Sequence, residues 1–111
     1  MKKILIINGP NLNLLGNRED DIYGKESLDK IKSDCEKKGV ENKVEIVFFQ
    51  SNNEGEIIDR IQEVNDNYDG LIINPAAFTH SSIAILDSLR AISKPKIEIH
   101  LSNIYAREEY R

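Results

Sequence analysis

The chain is 111 residues long, 40% hydrophobic and 31% charged, with a formal net charge of −4. That length makes one domain with one core, so residues 1–111 are read as a single domain. The mildly acidic balance argues against general nucleic-acid binding, and no apolar run approaches the ~20 residues of a membrane helix. Lys2-Lys3 ahead of Ile4–Ile7 is too short for a secretory leader. Cys35 is the sole cysteine. That excludes an intramolecular disulfide and a paired-thiolate zinc site, and it fits a cytoplasmic setting. A small anionic ligand stays open, because a local Arg cluster can override the overall sign.

Ile4-Leu5-Ile6-Ile7 is a short unbroken apolar run, the pattern of a strand covered on both faces. It stops at Asn8, and a long polar loop runs on to Gly24. The spacing predicts a helix over Ser27 to Lys38. Leu28, Ile31 and Cys35 fall at i, i+3 and i+7, Ser27 can cap, and Gly39 stands where a C-terminal glycine belongs. Val44 to Phe49 is β-branched and aromatic, hence a strand. Helical spacing returns over Glu56 to Asn65, with Ile57, Ile58, Ile61 and Val64 on one stripe. Leu71–Ile73 is a third buried strand. Ser81 or Ser82 then caps a helix carrying Ile85, Leu86, Leu89 and Ile92, and Lys96 to His100 follows Pro95 as a fourth strand. Strands alternating with amphipathic helices imply an α/β fold, a doubly wound parallel sheet with right-handed crossovers. The expected strand order is 2-1-3-4, with a fifth strand and a last helix absent.

Open parallel sheets bind ligands beyond the carboxyl ends of their strands, at the switch point in the order. Here that point falls between the first and third strands. Asn8–Gly24, Asn74–His80 and His100–Arg107 follow the ends of three neighbouring strands, so they should converge on one rim. Asn8-Gly9 is a common hairpin signal, but Pro10 removes a donor from any return strand. The loop lacks both glycine-rich phosphate cradles. Gly16 and Gly24 bracket Asn17–Tyr23, which is either a lid or a solvated tip.

Tyr23 is either a ring packed over the core edge or a general base. A phenol titrates near pH 10, so a base role needs a nearby cation, and Arg18 is on the same loop. Glu98 and His100 share a strand face. A carboxylate beside an imidazole fixes its tautomer and favours the protonated form, a general acid. The alternative is a satisfied surface histidine. His80 either serves the site or caps the following helix. Arg107 and Arg111 either pair with Glu108 and Glu109 or clamp an anion.

Together these residues resemble the type II 3-dehydroquinate dehydratases. The likeness runs in order through I-N-G-P-N-L-N-L-L-G at 7–16, R-E at 18–19, I-Y-G at 22–24, F-F-Q-S-N at 48–52 and E-G-E at 54–56. It continues through I-I-N-P at 72–75, T-H at 79–80, E-I-H-L-S-N at 98–103 and A-R-E-E-Y-R at 106–111. The resemblance implies a flavodoxin-like fold. It implies dehydration of 3-dehydroquinate to 3-dehydroshikimate, in the shikimate pathway of aromatic amino acid biosynthesis, with no metal or organic cofactor. It further implies a cytoplasmic homododecamer built from trimers, with no nucleic-acid or membrane partner.

By the same resemblance Tyr23 is the base that removes a proton next to the ketone, and Arg18 holds it ionised. Asn11 helps stabilise the enolate through a water. His100, oriented by Glu98, protonates the departing hydroxyl. Asn74, His80, Leu101, Ser102 and Arg111 grip the substrate, and Asp87 on the third predicted helix reaches a neighbouring subunit's site. A Schiff-base route would need a reactive lysine, and neither Lys25 nor Lys30 has an apolar setting. The chain departs from the family at Tyr105, commonly His, and at Ala77-Phe78, in a segment often written with Gly and Tyr. Family members continue past Arg111, so C-terminal truncation is expected, with the fourth strand left as an exposed edge. Two other readings are an anion-binding flavodoxin-like module and an inactive truncated dehydratase.

Overall fold

Each of the four predicted strands is present in the computed structural model, which describes residues 1–15, 27–79 and 81–100. β1 (Lys2–Asn8), β2 (Val44–Gln50), β3 (Gly70–Asn74) and β4 (Lys96–Glu98) form one parallel sheet in the order β2-β1-β3-β4. This is the α/β class and the strand order expected from the sequence. The described helices are α1 (Leu28–Glu41), α2 (Glu54–Gln62), α3 (Val64–Asn67) and α4 (Ile83–Arg90).

The register explains the core. Leu5 pairs with Val47 and Leu71, and Ile7 with Phe49 and Ile73, so all six share one face of the sheet. α2 and α4 cover that face, and Ile57, Ile61, Ile85 and Leu89 pack against it. Leu5, Ile7, Ile57 and Ile61 have no exposed surface. Each such side chain contributes about 1.5–3 kcal/mol of burial free energy. The opposite face carries Ile46 under α1, where Leu28, Ile31 and Cys35 are half-buried.

Serine caps start α1 and α4 as the sequence suggests, and an asparagine that the helical spacing did not mark starts α2 two residues earlier than expected. Ser27 accepts from the Lys30 amide, Asn53 from Glu56 and Ser82 from Ile85. Gly39 differs from expectation. It lies inside α1, which runs on to Glu41. A Cβ there would stand 2.6 Å from Ile46 Cγ1 and 2.7 Å from the Val44 carbonyl, so the glycine permits close helix–strand contact. The helix instead ends at Asn42, whose side-chain amide donates to the Lys38 carbonyl at 2.8 Å. The second predicted helix divides: α2 stops at Gln62 and α3 adds one more turn.

β4 is shorter than expected, ending at Glu98, although the Ile99 amide still donates to the Ile73 carbonyl at 2.8 Å. Its side chains are open, with Ile97 59% exposed. Among the described residues no helix is long and apolar enough to cross a membrane.

Candidate active site

The carboxyl ends of β1 and β3 are locked together. Asn8 lies between Gln50 and Asn74 in the register. The Gly9 amide donates to the Asn74 carbonyl at 2.8 Å. A Cβ on Gly9 would lie 2.4 Å from the Pro75 carbonyl oxygen, so only glycine lets the two loops cross this closely. Asn74 is buried, and its Oδ1 accepts from the Ala76 amide at 3.1 Å. Ala76 takes φ 53°, a left-handed conformation that glycine would adopt more easily. The Asn74 side-chain nitrogen donates to none of the described residues in this arrangement.

Past Gly9-Pro10 the chain turns at Asn11, also left-handed, with φ 67° and ψ −2°. Asparagine tolerates this region better than most residues. The Asn11 side chain is exposed and makes no capping bond, while its backbone is held at both ends. Its amide donates to Asn52 Oδ1 at 2.9 Å, and its carbonyl accepts from the Leu14 amide at 3.0 Å. Gln50 Nε2 in turn lies 3.2 Å from the Gly9 carbonyl, 3.2 Å from Asn52 Oδ1 and 3.4 Å from Asn13 Oδ1.

The two carboxylates of the Glu54-Gly55-Glu56 motif are engaged in holding the rim. Glu56 accepts from the buried Ser51 hydroxyl at 2.6 Å, and Ser51 Oγ accepts from the Asn53 amide at 2.9 Å. Glu54 accepts from the hydroxyl of Ser82, the residue that caps α4. The corner where α2 and α4 begin is thereby fixed.

On the other side of β3 the groups stand open. Glu98 pairs with Ile73 in the register, and His100 follows two residues on. The separation of His100 Nε2 and Glu98 Oε1 is 3.4 Å, and the two side chains are 32% and 45% exposed. Glu98 therefore sits where it can orient the ring, and the ring remains accessible to a ligand.

Asn11, Asn74, Glu98 and His100 thus occupy the ends of three adjacent strands. Asp87 lies exposed on α4, and no bond among the described residues joins it to the other four. Arg18, Tyr23, His80, Leu101, Ser102 and Arg111 lie outside the described residues. Gln50 and Asn52 received no role from the sequence. The signal was there: polar side chains closing an apolar strand next to the switch point.

A cleft of about 410 Å³ flanks the rim on the β2 side, between Asn13, Gln50 and the start of α1 at Ser27 and Leu28. Among the described residues, no cluster of His, Cys, Asp and Glu could hold a metal ion. Cys35 lies in the half-buried stripe of α1, where burial first, then the charges of Asp34 and Glu36, push its thiol pKa up. It is therefore a poor nucleophile.

Comparison with known proteins agrees with this geometry. The sequence model of the family described as Dehydroquinase class II matches residues 2–111. The 3-dehydroquinate dehydratase of Caldicellulosiruptor saccharolyticus is 59% identical over 112 residues, covering 100% of this chain and 77% of that protein. The crystal structure of the type II dehydroquinase from Butyrivibrio crossotus superposes with a TM-score of 0.91 at 49% identity, covering 98% of this chain and 77% of that one. The type II dehydroquinase from Propionibacterium acnes gives the same TM-score of 0.91 at 40% identity, covering 99% of this chain and 76% of that one. With its sheet order, its rim and its sequence in accord, the chain belongs to the class II dehydroquinase family.

Proposed function

We propose that this chain is a 3-dehydroquinate dehydratase, a hydro-lyase of the shikimate pathway that works through an enolate without a cofactor. One observation carries the proposal: a family match over residues 2–111 whose expected groups Asn11, Asn74, Glu98 and His100 close three neighbouring strands. A proton next to a ketone is acidic enough for stepwise loss. Such a path needs one base, one acid and donors for the oxyanion.

In the proposed sequence Tyr23 takes the proton from the carbon next to the ketone, with Arg18 holding the phenolate. The electron pair moves onto the ketone oxygen, and the exposed Asn11 side chain stabilises that enolate through a water. The enolate then reforms the ketone and a conjugated double bond as the C–O bond breaks. His100 gives its proton to the leaving hydroxyl, which departs as water, and Glu98 orients the ring. Asn74, with a side-chain nitrogen that bonds none of the described residues, donates to a substrate oxygen, and His80, Leu101, Ser102 and Arg111 are the other groups proposed to grip the substrate.

The assembly we propose is a trimer-based homododecamer, in which Asp87 serves a neighbouring subunit's site, and the setting is cytoplasmic. The open side of α4 supports this: Ile83 is 83% exposed and Leu86 47% exposed, beside Asp87. Light scattering on the purified chain tests the assembly.

The function is tested by following the conjugated enone product in the ultraviolet while the chain is mixed with 3-dehydroquinate. Turnover that Tyr23→Phe removes is the expected result. Binding of 3-dehydroquinate without turnover would instead indicate an anion-binding module or an inactive relative.

A further inference from the structure

We infer that Gln50 and Asn52 are positioning residues that set the direction of the Asn11 side chain, and through it the rate of enolate formation. This rests on the dehydratase function proposed above. Asn11 is held in a left-handed conformation that an L-residue adopts at a cost. What holds it is visible. Asn52 Oδ1 accepts the Asn11 amide at 2.9 Å and faces Gln50 Nε2 at 3.2 Å. Gln50 also reaches the Gly9 carbonyl at 3.2 Å, on the far side of Pro10.

A side-chain amide nitrogen carries two hydrogens and no acceptor. Gln50 therefore fixes which atom Asn52 presents: its oxygen faces the Gln50 donor and so also faces the Asn11 amide. With the Asn11 carbonyl tied to Leu14, both peptide planes flanking Asn11 are set. Its exposed side chain then has one direction in which to leave the backbone. Gln50 ends β2, the strand outside the switch point, so it acts from behind Asn11. Asn52 is exposed, so removing its amide loses little packing.

The test compares Asn52→Leu, Asn52→Asp and Gln50→Met by steady-state turnover of 3-dehydroquinate, alone and combined with Asn11→Ala. Asn52→Leu and Gln50→Met should each lower kcat about tenfold and leave KM within about twofold. Asn52→Asp keeps the acceptor and should stay within about twofold of the parent. On an Asn11→Ala background, Asn52→Leu should add less than about a twofold loss, because a group acting through Asn11 has nothing left to position. Unchanged kcat in Asn52→Leu and Gln50→Met, no rescue by Asp, or a full further loss on the Asn11→Ala background would overturn the inference.

Asn11→Ala with parental kcat would instead remove the role given to Asn11 itself. Should the parent chain show no turnover, the dehydratase function fails by itself. Hydrogen exchange at the Asn11 amide then decides the structural half. Exchange at least about tenfold faster in Asn52→Leu supports the positioning, and equal exchange refutes it.

Discussion

Asn74 ends an interior strand and is 2% exposed, whereas the His100 side chain follows an edge strand and is 32% exposed. The two sit on neighbouring strands of one rim, yet they are built differently. The β1–β3 side is tied tightly: the Gly9 amide donates to the Asn74 carbonyl, the buried Asn74 side chain accepts from the Ala76 amide, and on the β2 side the Ser51 amide donates to the Asn8 carbonyl. The β4 side has three paired residues and a carboxylate–imidazole contact in the open. Groups that only have to stay in place are made part of the folded backbone. His100, the described group proposed to move a proton, stands where a substrate can reach it.

The contrast predicts opposite outcomes for activity and stability. His100→Ala should give the largest effect, a loss of about 10²–10⁴-fold in enone formation, with stability within about 0.5 kcal/mol of the parent in urea melts. A strongly destabilised His100→Ala would break the comparison. Gly9→Ala comes next and reverses the pattern. Its methyl group would meet the Pro75 carbonyl, so denaturant titration should show a loss of about 2 kcal/mol.

Asn74→Ala should show both effects in smaller measure. Losing the Ala76 amide's partner costs about 1–2 kcal/mol, and KM should rise as a substrate donor disappears. Ala76→Gly is the smallest and has the opposite sign. It relieves a left-handed alanine and should raise stability by up to about 1 kcal/mol, read as a higher melting temperature.

Much of this architecture was legible in the sequence because patterns of burial are periodic. Ile4–Ile7, Val44–Phe49 and Leu71–Ile73 marked three strands, and Ser27 and the Ser81-Ser82 pair marked two helix starts, of which Ser82 is the cap observed for the second. Gly39 misled because glycine serves two purposes. It ends helices with positive φ, and it also lets a helix approach a strand, which is its use here against Ile46. The convergence of Asn11, Asn74 and His100 followed from strand order alone. The network of Gln50 and Asn52 did not, since it joins residues about forty apart through side-chain amides that carry no periodic signal.

The Glu54–Ser82 contact has an electrostatic consequence. Glu54 opens α2 and touches the cap of α4, so one negative charge serves the partly positive ends of two helix dipoles. Those ends would otherwise repel each other where the helices begin. An incoming carboxylate at this corner therefore finds the helical attraction already answered by the protein's own anion. If the proposed Arg18 or Arg111 supplies its counter-charge, binding should weaken steeply when that guanidinium is removed and only slightly when a helix start is altered.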